Sequence, residues 1–408
     1  MAFNGLGTLQ TMVLIQGEER SGGLNVEIGG FDGLTSLELA YVDDHRICCF
    51  FIKTVDCTSL EKQSPLFSCG ELMQNTFLRV SMWLLGTSAV FGNFFVFIWR
   101  LSERNLKREH FVQSFLVMNL AISDCMMGIY MLILAGYDLY FGKLYFQVAD
   151  VWRGSLMCKF AGFLSLLSSE ASVCLLVLIT LDRLFGIVFP FSRLRLGRLS
   201  VKIIVCIIWV TMAILSLAPI LLTDITTDFY GLSDVCIGLP LITQPTNYVI
   251  HQGGIQSSLT SHQFSIPVPQ DSKPAWYFSI VLFLGLNLAL FLIIMVCYIA
   301  MFIQVKVSSK TVHRNTERKD EIKMAIKMAI IVGTDFLCWM PIIIMGILSQ
   351  TGAVVIPVSV YAWSAVLILP INSSINPYLY TISTLFTSKN SKKRPPPTTK
   401  KTPLTRSI

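Results

Sequence analysis

Residues 158–189 read CKFAGFLSLLSSEASVCLLVLITLDRLFGIVF. An apolar run of this length, coiled at about 1.5 Å per residue, outreaches a hydrocarbon layer of about 30 Å. Cys158 and Arg183 lie 25 residues apart, or about 37 Å along a helix. The cysteine therefore reaches one membrane interface and the arginine the other. Six further blocks of similar character flank this one, at 77–100, 111–136, 201–222, 276–304, 324–349 and 356–382. The last is punctuated by Pro357, Pro370 and Pro377. Seven spans predict an all-α membrane protein built as a seven-transmembrane helix bundle.

Composition agrees. The 408 residues are 53% hydrophobic and 14% charged, with a mean hydropathy of +0.63. Soluble domains carry about 25% charged residues. The net charge of +7 is spread between apolar blocks instead of forming one face, which speaks for membrane topology and against a nucleic-acid partner.

Orientation follows from the loops. Arg100, Arg104, Lys107 and Arg108 lie between the first two spans, and Arg193, Arg195 and Arg198 between the third and fourth. Lys306, Lys310, Arg314, Arg318, Lys319 and Lys323 lie between the fifth and sixth. The opposite loops hold Lys143, Arg153 and Lys273. The positive-inside rule then places the N-terminus outside and the C-terminal tail in the cytoplasm. Residues 1–30 lack the sustained apolar core of a cleavable signal peptide, so the first span is expected to direct insertion, unless an upstream segment does.

Five cysteines fall inside spans: Cys125, Cys174, Cys206, Cys297 and Cys338. The other six, Cys48, Cys49, Cys57, Cys69, Cys158 and Cys236, fall in segments expected outside the cell, where an even number predicts disulfides. The stretches Phe3–Leu9 and Phe31–Leu37 share an F-x-G-L-x-x-L pattern. It resembles leucine-rich repeats, yet two copies fall short of the roughly three needed to stack. The expected division is a repeat remnant at 1–47, a Cys-rich hinge at 48–76, the bundle at 77–386 and a disordered Lys/Pro/Thr-rich tail at 387–408. A polar, proline-bearing loop at about 240–275 shows no pattern of its own.

Polar residues inside spans are expensive, about 2.5–3.5 kcal/mol for a charge near the centre. Asp124 stands midway along the second span, and Asn93, Ser172, Asn372, Ser373 and Asn376 lie at comparable depths. They can be read as interhelical hydrogen bonds or as a hydrated cluster able to hold a small cation. Arg183 reads either as a snorkelling cation or, beside Asp182, as half of a switchable ion pair. Glu321 lies about twenty residues before Pro341 and near the depth of Arg183, so it is a cross-bundle partner for that arginine, as is Asp320. Pro341, in Cys338-Trp339-Met340-Pro341, and Pro377, in Asn376-Pro377-Tyr378-Leu379-Tyr380, each remove a backbone bond and predict kinks.

Gly92-Asn93, Leu120-Ala121-x-x-Asp124, Asp182-Arg183, Trp209, Cys338-Trp339-x-Pro341 and Asn376-Pro377-x-x-Tyr380 together resemble the rhodopsin-like G-protein-coupled receptors in order and spacing. Leu184 stands where that family carries the tyrosine of its Asp-Arg-Tyr motif. Asp124–Tyr130, Phe229–Gly231, Thr334–Trp339 (with Asp335), Leu369–Ser373 and the juxtamembrane Cys48-Cys49 and Phe67–Met73 resemble the leucine-rich-repeat-containing branch of relaxin and snail receptors.

The resemblance implies a disulfide between Cys158 and Cys236, and two hinge disulfides among Cys48, Cys49, Cys57 and Cys69 with the pairing open. It implies a Na+ pocket at Asp124, Ser172, Asn372 and Asn376, with no other cofactor, and Trp339 beneath the ligand cavity. Asp335, Pro341, Pro377 and Tyr380 would act as activation switches, and Asp182, Arg183, Glu321 and Tyr380 would serve coupling. Phe386 would open a short amphipathic helix. The implied partners are a heterotrimeric G protein, an extracellular peptide or glycoprotein-type hormone and membrane lipid, at the plasma membrane.

Other classes fit less well. No paired interrupted segments mark an inverted-repeat transporter. The seventh span has no lysine for a retinal Schiff base, and Ser165 stands where amine receptors carry aspartate. No nucleophile–base pair or metal-ligand cluster indicates an enzyme. A truncated, non-signalling decoy remains the alternative to a signalling receptor, since the repeat array that would capture a hormone is nearly missing.

Overall fold

The computed structural model describes residues 5–14, 30–42, 45–51, 55–59, 69–73, 75–102, 108–189, 195–222, 229–237, 254–257, 260–263, 278–309, 316–351, 354, 360 and 363–379. Within these, six helices are long and apolar enough to cross a membrane. A seventh helical stretch runs over 363–379.

The first membrane helix, α1 (Thr76–Ser102), buries Leu78, Met82, Ala89, Asn93 and Val96. Steps of three, four and seven put these on one stripe. Its opposite face exposes Phe77, Leu84, Phe91 and Phe95, as expected of a surface solvated by lipid. The second, α2 (Arg108–Phe141), packs against α1. It runs five residues past the expected end at 136, because Tyr137, Tyr140 and Phe141 stack on one another and on Trp152.

A short helix not anticipated from sequence, α3 (Tyr145–Arg153), follows. Tyr145, Phe146, Ala149 and Trp152 recur at helical spacing and are all buried. Next, α4 (Leu156–Val188) starts where Ser155, in an extended conformation, accepts a hydrogen bond from the Cys158 N–H. Nearly every position of α4 from Ala161 to Thr180 is buried. It contacts α2, α5 (Arg198–Leu222), α6 (Asn287–Ser309) and α7 (Thr316–Gln350). It is the central post of the bundle. The seventh stretch, 363–379, is α8.

Kinks were expected at prolines. Pro341 and Pro377 both lie inside helical stretches, and wide turns lie at two further places. π-helical segments occupy Ile280–Leu286, before α6, and Ser364–Ile368, at the start of α8. Asn287 N–H bonds Leu282 O, and Leu369 N–H bonds Ser364 O. Such one-turn widenings shift side-chain register and recur at functional sites.

At the N-terminal end, β1 (Thr11–Leu14), β2 (Leu39–Val42) and β3 (Asp56–Ser59) form a parallel sheet in that order. Thr11 aligns with Leu39, and Leu39 with Asp56. Beneath it, Met12, Phe31, Leu34, Leu37, Ala40, Val42 and Ile47 share a small core. Two repeat-like strands alone would have been too few. A third strand comes from the hinge segment, so remnant and hinge share one sheet and one core across the 47/48 line. The polar loop near 240–275 was expected to show no fold, yet it holds an antiparallel hairpin, β4 (Gly254–Ser257) and β5 (Thr260–Gln263).

Candidate functional site

Three disulfides lie on the N-terminal side of the bundle. Cys48 pairs with Cys57 and Cys49 with Cys69, so one closes the β3 loop and the other ties the sheet to the segment entering α1. Cys158 pairs with Cys236, fastening the segment 229–237 to the N-terminal end of α4. Cys125, Cys174, Cys206, Cys297 and Cys338 are free thiols within helices.

Segment 229–237 is pressed into the mouth of the bundle. Phe229, Tyr230, Ser233, Asp234, Val235, Cys236 and Ile237 are all buried. Three side chains from other elements hold it. Tyr130 donates to Val235 O, Tyr145 to Asp234 Oδ1 and Trp152 Nε1 to Asp234 O, at 2.7–2.8 Å. Tyr230 donates to Ser216 O of α5, and burial raises its phenol above the ordinary tyrosine range. Gly162 makes this approach possible: a Cβ there would come 2.2 Å from Tyr230 Cδ1 and 2.5 Å from Cys236 O.

A second cluster joins hinge to bundle. Arg79 of α1 forms an ion pair with Glu71 and lies 2.7 Å from Asp138 of α2. The Met73 N–H donates to Asp138 Oδ1 at 3.0 Å. The hydrogen bond from Arg79 holds the Glu71 carboxyl below its ordinary range. Nearby, Phe50 meets Phe146 of α3 edge-on, with centroids 5.2 Å apart.

Below, polar side chains converge where apolar packing would be cheaper. Asn376 Nδ2 of α8 donates to Asp124 Oδ2 of α2 at 2.8 Å. Asn372 donates to Asp335 of α7. Asn93 Nδ2 donates to Ser373 O and Ala89 O, both at 2.9 Å. The structure thus gathers Asn93, Asp124, Asp335, Asn372 and Asn376 into links among α1, α2, α7 and α8. Ser172 is buried on α4. Ser172 Oγ, Asn93 Oδ1 and Asn376 Oδ1 are buried oxygens with no hydrogen-bond partner among the described residues. An acidic carboxylate with spare hydroxyl and amide oxygens is the donor set a hard monovalent cation takes, so these residues fit Na+.

Trp339 is buried and stacks on Phe283 of the π-helical segment at 5.9 Å, with Phe291 at 6.4 Å. Pro377 packs against α1, where a Cβ on Gly92 would approach its Cγ to 2.9 Å. At the far end of α4, Arg183 is paired with Asp182. The alternative partner Glu321 lies in α7 with its side chain outside the described residues, as Tyr380 and Phe386 lie outside them altogether.

Several buried carboxylates were missed, Glu170 the deepest in the membrane helices among them. Glu170 lies in the middle of α4, fully buried, and accepts a 3.0 Å hydrogen bond from Asn287 Nδ2 where the π-helical segment joins α6. The signal was the one that exposed Asp124, an acidic residue inside an apolar run.

Residues 92–380 match the family model described as 7 transmembrane receptor (rhodopsin family). The chain belongs to that family. Over 89% of its length this receptor is 39% identical to a G-protein coupled receptor, GRL101, of Lymnaea stagnalis, covering 30% of that relative. It is 32% identical to human Relaxin receptor 1 over 78% of the chain and 38% of the relative. It is 31% identical to the Thyrotropin receptor of Ovis aries over 79% of the chain and 37% of the relative. The receptor therefore spans well under half the length of these curated relatives. It is a multi-pass membrane protein.

Proposed function

We propose that the receptor converts binding of an extracellular peptide or glycoprotein-type hormone into activation of a heterotrimeric G protein at the plasma membrane. The ligand class is suggested by the names of two relatives, a relaxin receptor and a thyrotropin receptor. Three disulfides at one end of the bundle support an extracellular N-terminus, since disulfides persist in oxidising compartments. On this reading 1–47 and 48–76 receive the signal, 77–386 transduces it and 387–408 lies in the cytoplasm.

The observation that carries the proposal is the set of paired polar contacts inside the bundle. Asp335 with Asn372 joins α7 to α8 in a form that movement of α7 would break, Asp124 with Asn376 joins α2 to α8, and Asp182 with Arg183 holds a charge within α4. A two-state switch needs such contacts, present in one state and exchanged in the other. Binding at the hinge would pull on the Glu71–Arg79–Asp138 cluster and on segment 229–237, shifting α7 beside Trp339. Arg183, released from Asp182, would then meet the G protein with Tyr380, while Glu321 would be parted from the arginine side of the crevice. Pro341 and Pro377 each lack the N–H that would close a helical turn, which eases the bend. Na+, when bound at Asp124, Ser172, Asn372 and Asn376, supplies a positive charge that favours the closed arrangement. The receptor itself makes and breaks no covalent bond.

The test compares cells expressing the intact chain with cells expressing Arg183→Ala at matched surface levels. Second-messenger output across the main G-protein classes should drop to the untransfected level. Equal output from both would rule out the assigned role of Arg183, and no output from either would favour a decoy.

A further inference from the structure

Asn287 closes the π-helical turn of Ile280–Leu286 with its backbone and grips a different helix with its side chain. Its N–H donates to Leu282 O, five residues back, and its Nδ2 donates to Glu170 Oε1 of α4 at 3.0 Å. Both residues are fully buried. Asn287 Oδ1 and Glu170 Oε2 have no hydrogen-bond partner among the described residues, so within these residues each side chain answers the other. The second π-helical segment, Ser364–Ile368, is closed by Leu369, whose apolar side chain offers no such hold. Phe278–Ser309 contains no proline, so no breaker imposes the wide turn.

The turn sets what faces Trp339. Phe283, inside it, stacks on Trp339 of α7 with centroids 5.9 Å apart. Just before it, Phe278 meets Phe229 edge-on at 5.2 Å, and Phe229 belongs to the segment pressed into the bundle mouth. Phe291, beyond the turn in α6, reaches the same tryptophan at 6.4 Å. A π turn holds one residue more than an α turn. Passage to α winding would therefore rotate the residues before Asn287 by about 100° and shift them by about 1.5 Å relative to α6. Phe278 and Phe283 would move, and Phe291 would stay.

We propose that Glu170 and Asn287 form a register latch. Their hydrogen bond holds the π-helical turn in place, and its release lets Ile280–Leu286 pass to α winding, turning Phe283 off Trp339. Both are positioning residues, acting on Trp339 through Phe283. A displacement of segment 229–237 reaches the turn through Phe278, and the latch decides whether it travels on. Inside the bundle no bulk water competes for the bond, so the two registers form discrete states instead of a continuum. The latch concerns helix register alone and does not rest on the G-protein coupling proposed above.

The test follows Trp339 by fluorine NMR in the purified full chain, labelled with fluorotryptophan and held in nanodiscs; its resonance is the one lost in W339F. F283L removes the stacked ring and marks the position of an unstacked Trp339. N287L should move the resonance most of the way to that position, as should E170L, which removes the same bond from the α4 side. E170Q keeps the acceptor and should match the intact chain. In the F283L background, N287L should add no further shift. Deleting Gly285 from N287L takes out the surplus residue of the turn and should return the resonance to its intact position, a repair that a merely loosened core would not show. The inference is overturned if N287L and E170L leave the resonance where it stands, or if the deletion fails to restore it. No hormone or G protein takes part, so a failed signalling experiment leaves this result standing, and the reverse.

Discussion

The side-chain amide of Asn376 donates a 2.8 Å hydrogen bond to Asp124 Oδ2, joining α8 to the middle of α2. Both residues are fully buried. A carboxylate so placed is tolerated when its charge is answered by donors or a cation, and Ser172 Oγ, Asn93 Oδ1 and Asn376 Oδ1 are buried without hydrogen-bond partners among the described residues.

Sodium should therefore stabilise the receptor through Asp124. Thermal unfolding of the purified protein is expected at higher temperature in NaCl than in choline chloride at equal ionic strength. Asp124→Asn should abolish the difference. A difference that persists in the variant would place the cation elsewhere.

Glu170 and Asn287 offer a separable test of internal polar packing. Glu170→Gln keeps an acceptor for the Asn287 amide and should leave stability nearly unchanged. Glu170→Ala strands that buried amide and should cost about 1–3 kcal/mol. Denaturation midpoints in detergent distinguish the two, and equal losses would show that the bond contributes little.

Gly162→Ala should dislodge segment 229–237. The added methyl meets the Tyr230 ring and the Cys236 carbonyl, and overpacking of this kind costs about 1–3 kcal/mol or more. Reduced surface expression and a reactive thiol at Cys158 or Cys236 are expected. Gly136, where a Cβ meets nothing within 4 Å, should accept alanine silently.

The hinge cluster should loosen in acid. The Glu71 carboxyl is held below its ordinary range by Arg79, so the pair is complete above the unfolded value of about pH 4.3 and is lost as pH falls through the lower folded value. Pepsin should cut the hinge tail faster at the acid end of that window in the intact chain. In Glu71→Gln, cleavage should already be fast at its upper end.

Much of this architecture is legible from single residues. The stripe Leu78, Met82, Ala89, Asn93 and Val96 and the Cys158–Arg183 spacing follow from helix geometry and membrane thickness alone. Asp124 and Asn376 stand out because charge and amide groups are costly in hydrocarbon. The π-helical turns at Ile280–Leu286 and Ser364–Ile368 were not legible, since they arise from packing against neighbouring helices instead of from a breaker residue. The sheet role of β3 was hidden because Asp56–Ser59 carries no leucine pattern and gains its place through pairing with β2 and the Cys48–Cys57 bridge. Asp138 was obscured by ending the second span too early, before the aromatic cluster that prolongs α2. Glu170 was readable in principle and differs from Asp124 only in lying inside a longer apolar run.

The central claim is that breaking the inner polar contacts frees Arg183 to act on a G protein. Guanine-nucleotide exchange by a panel of purified heterotrimers, on nanodiscs bearing the receptor, tests it without knowledge of the hormone. Asp335→Ala removes the acceptor for Asn372 and should raise exchange on at least one heterotrimer above that of the intact chain. Adding Arg183→Ala to the same variant should return exchange to the level of empty nanodiscs. Exchange that is raised equally with and without Arg183 would contradict the account.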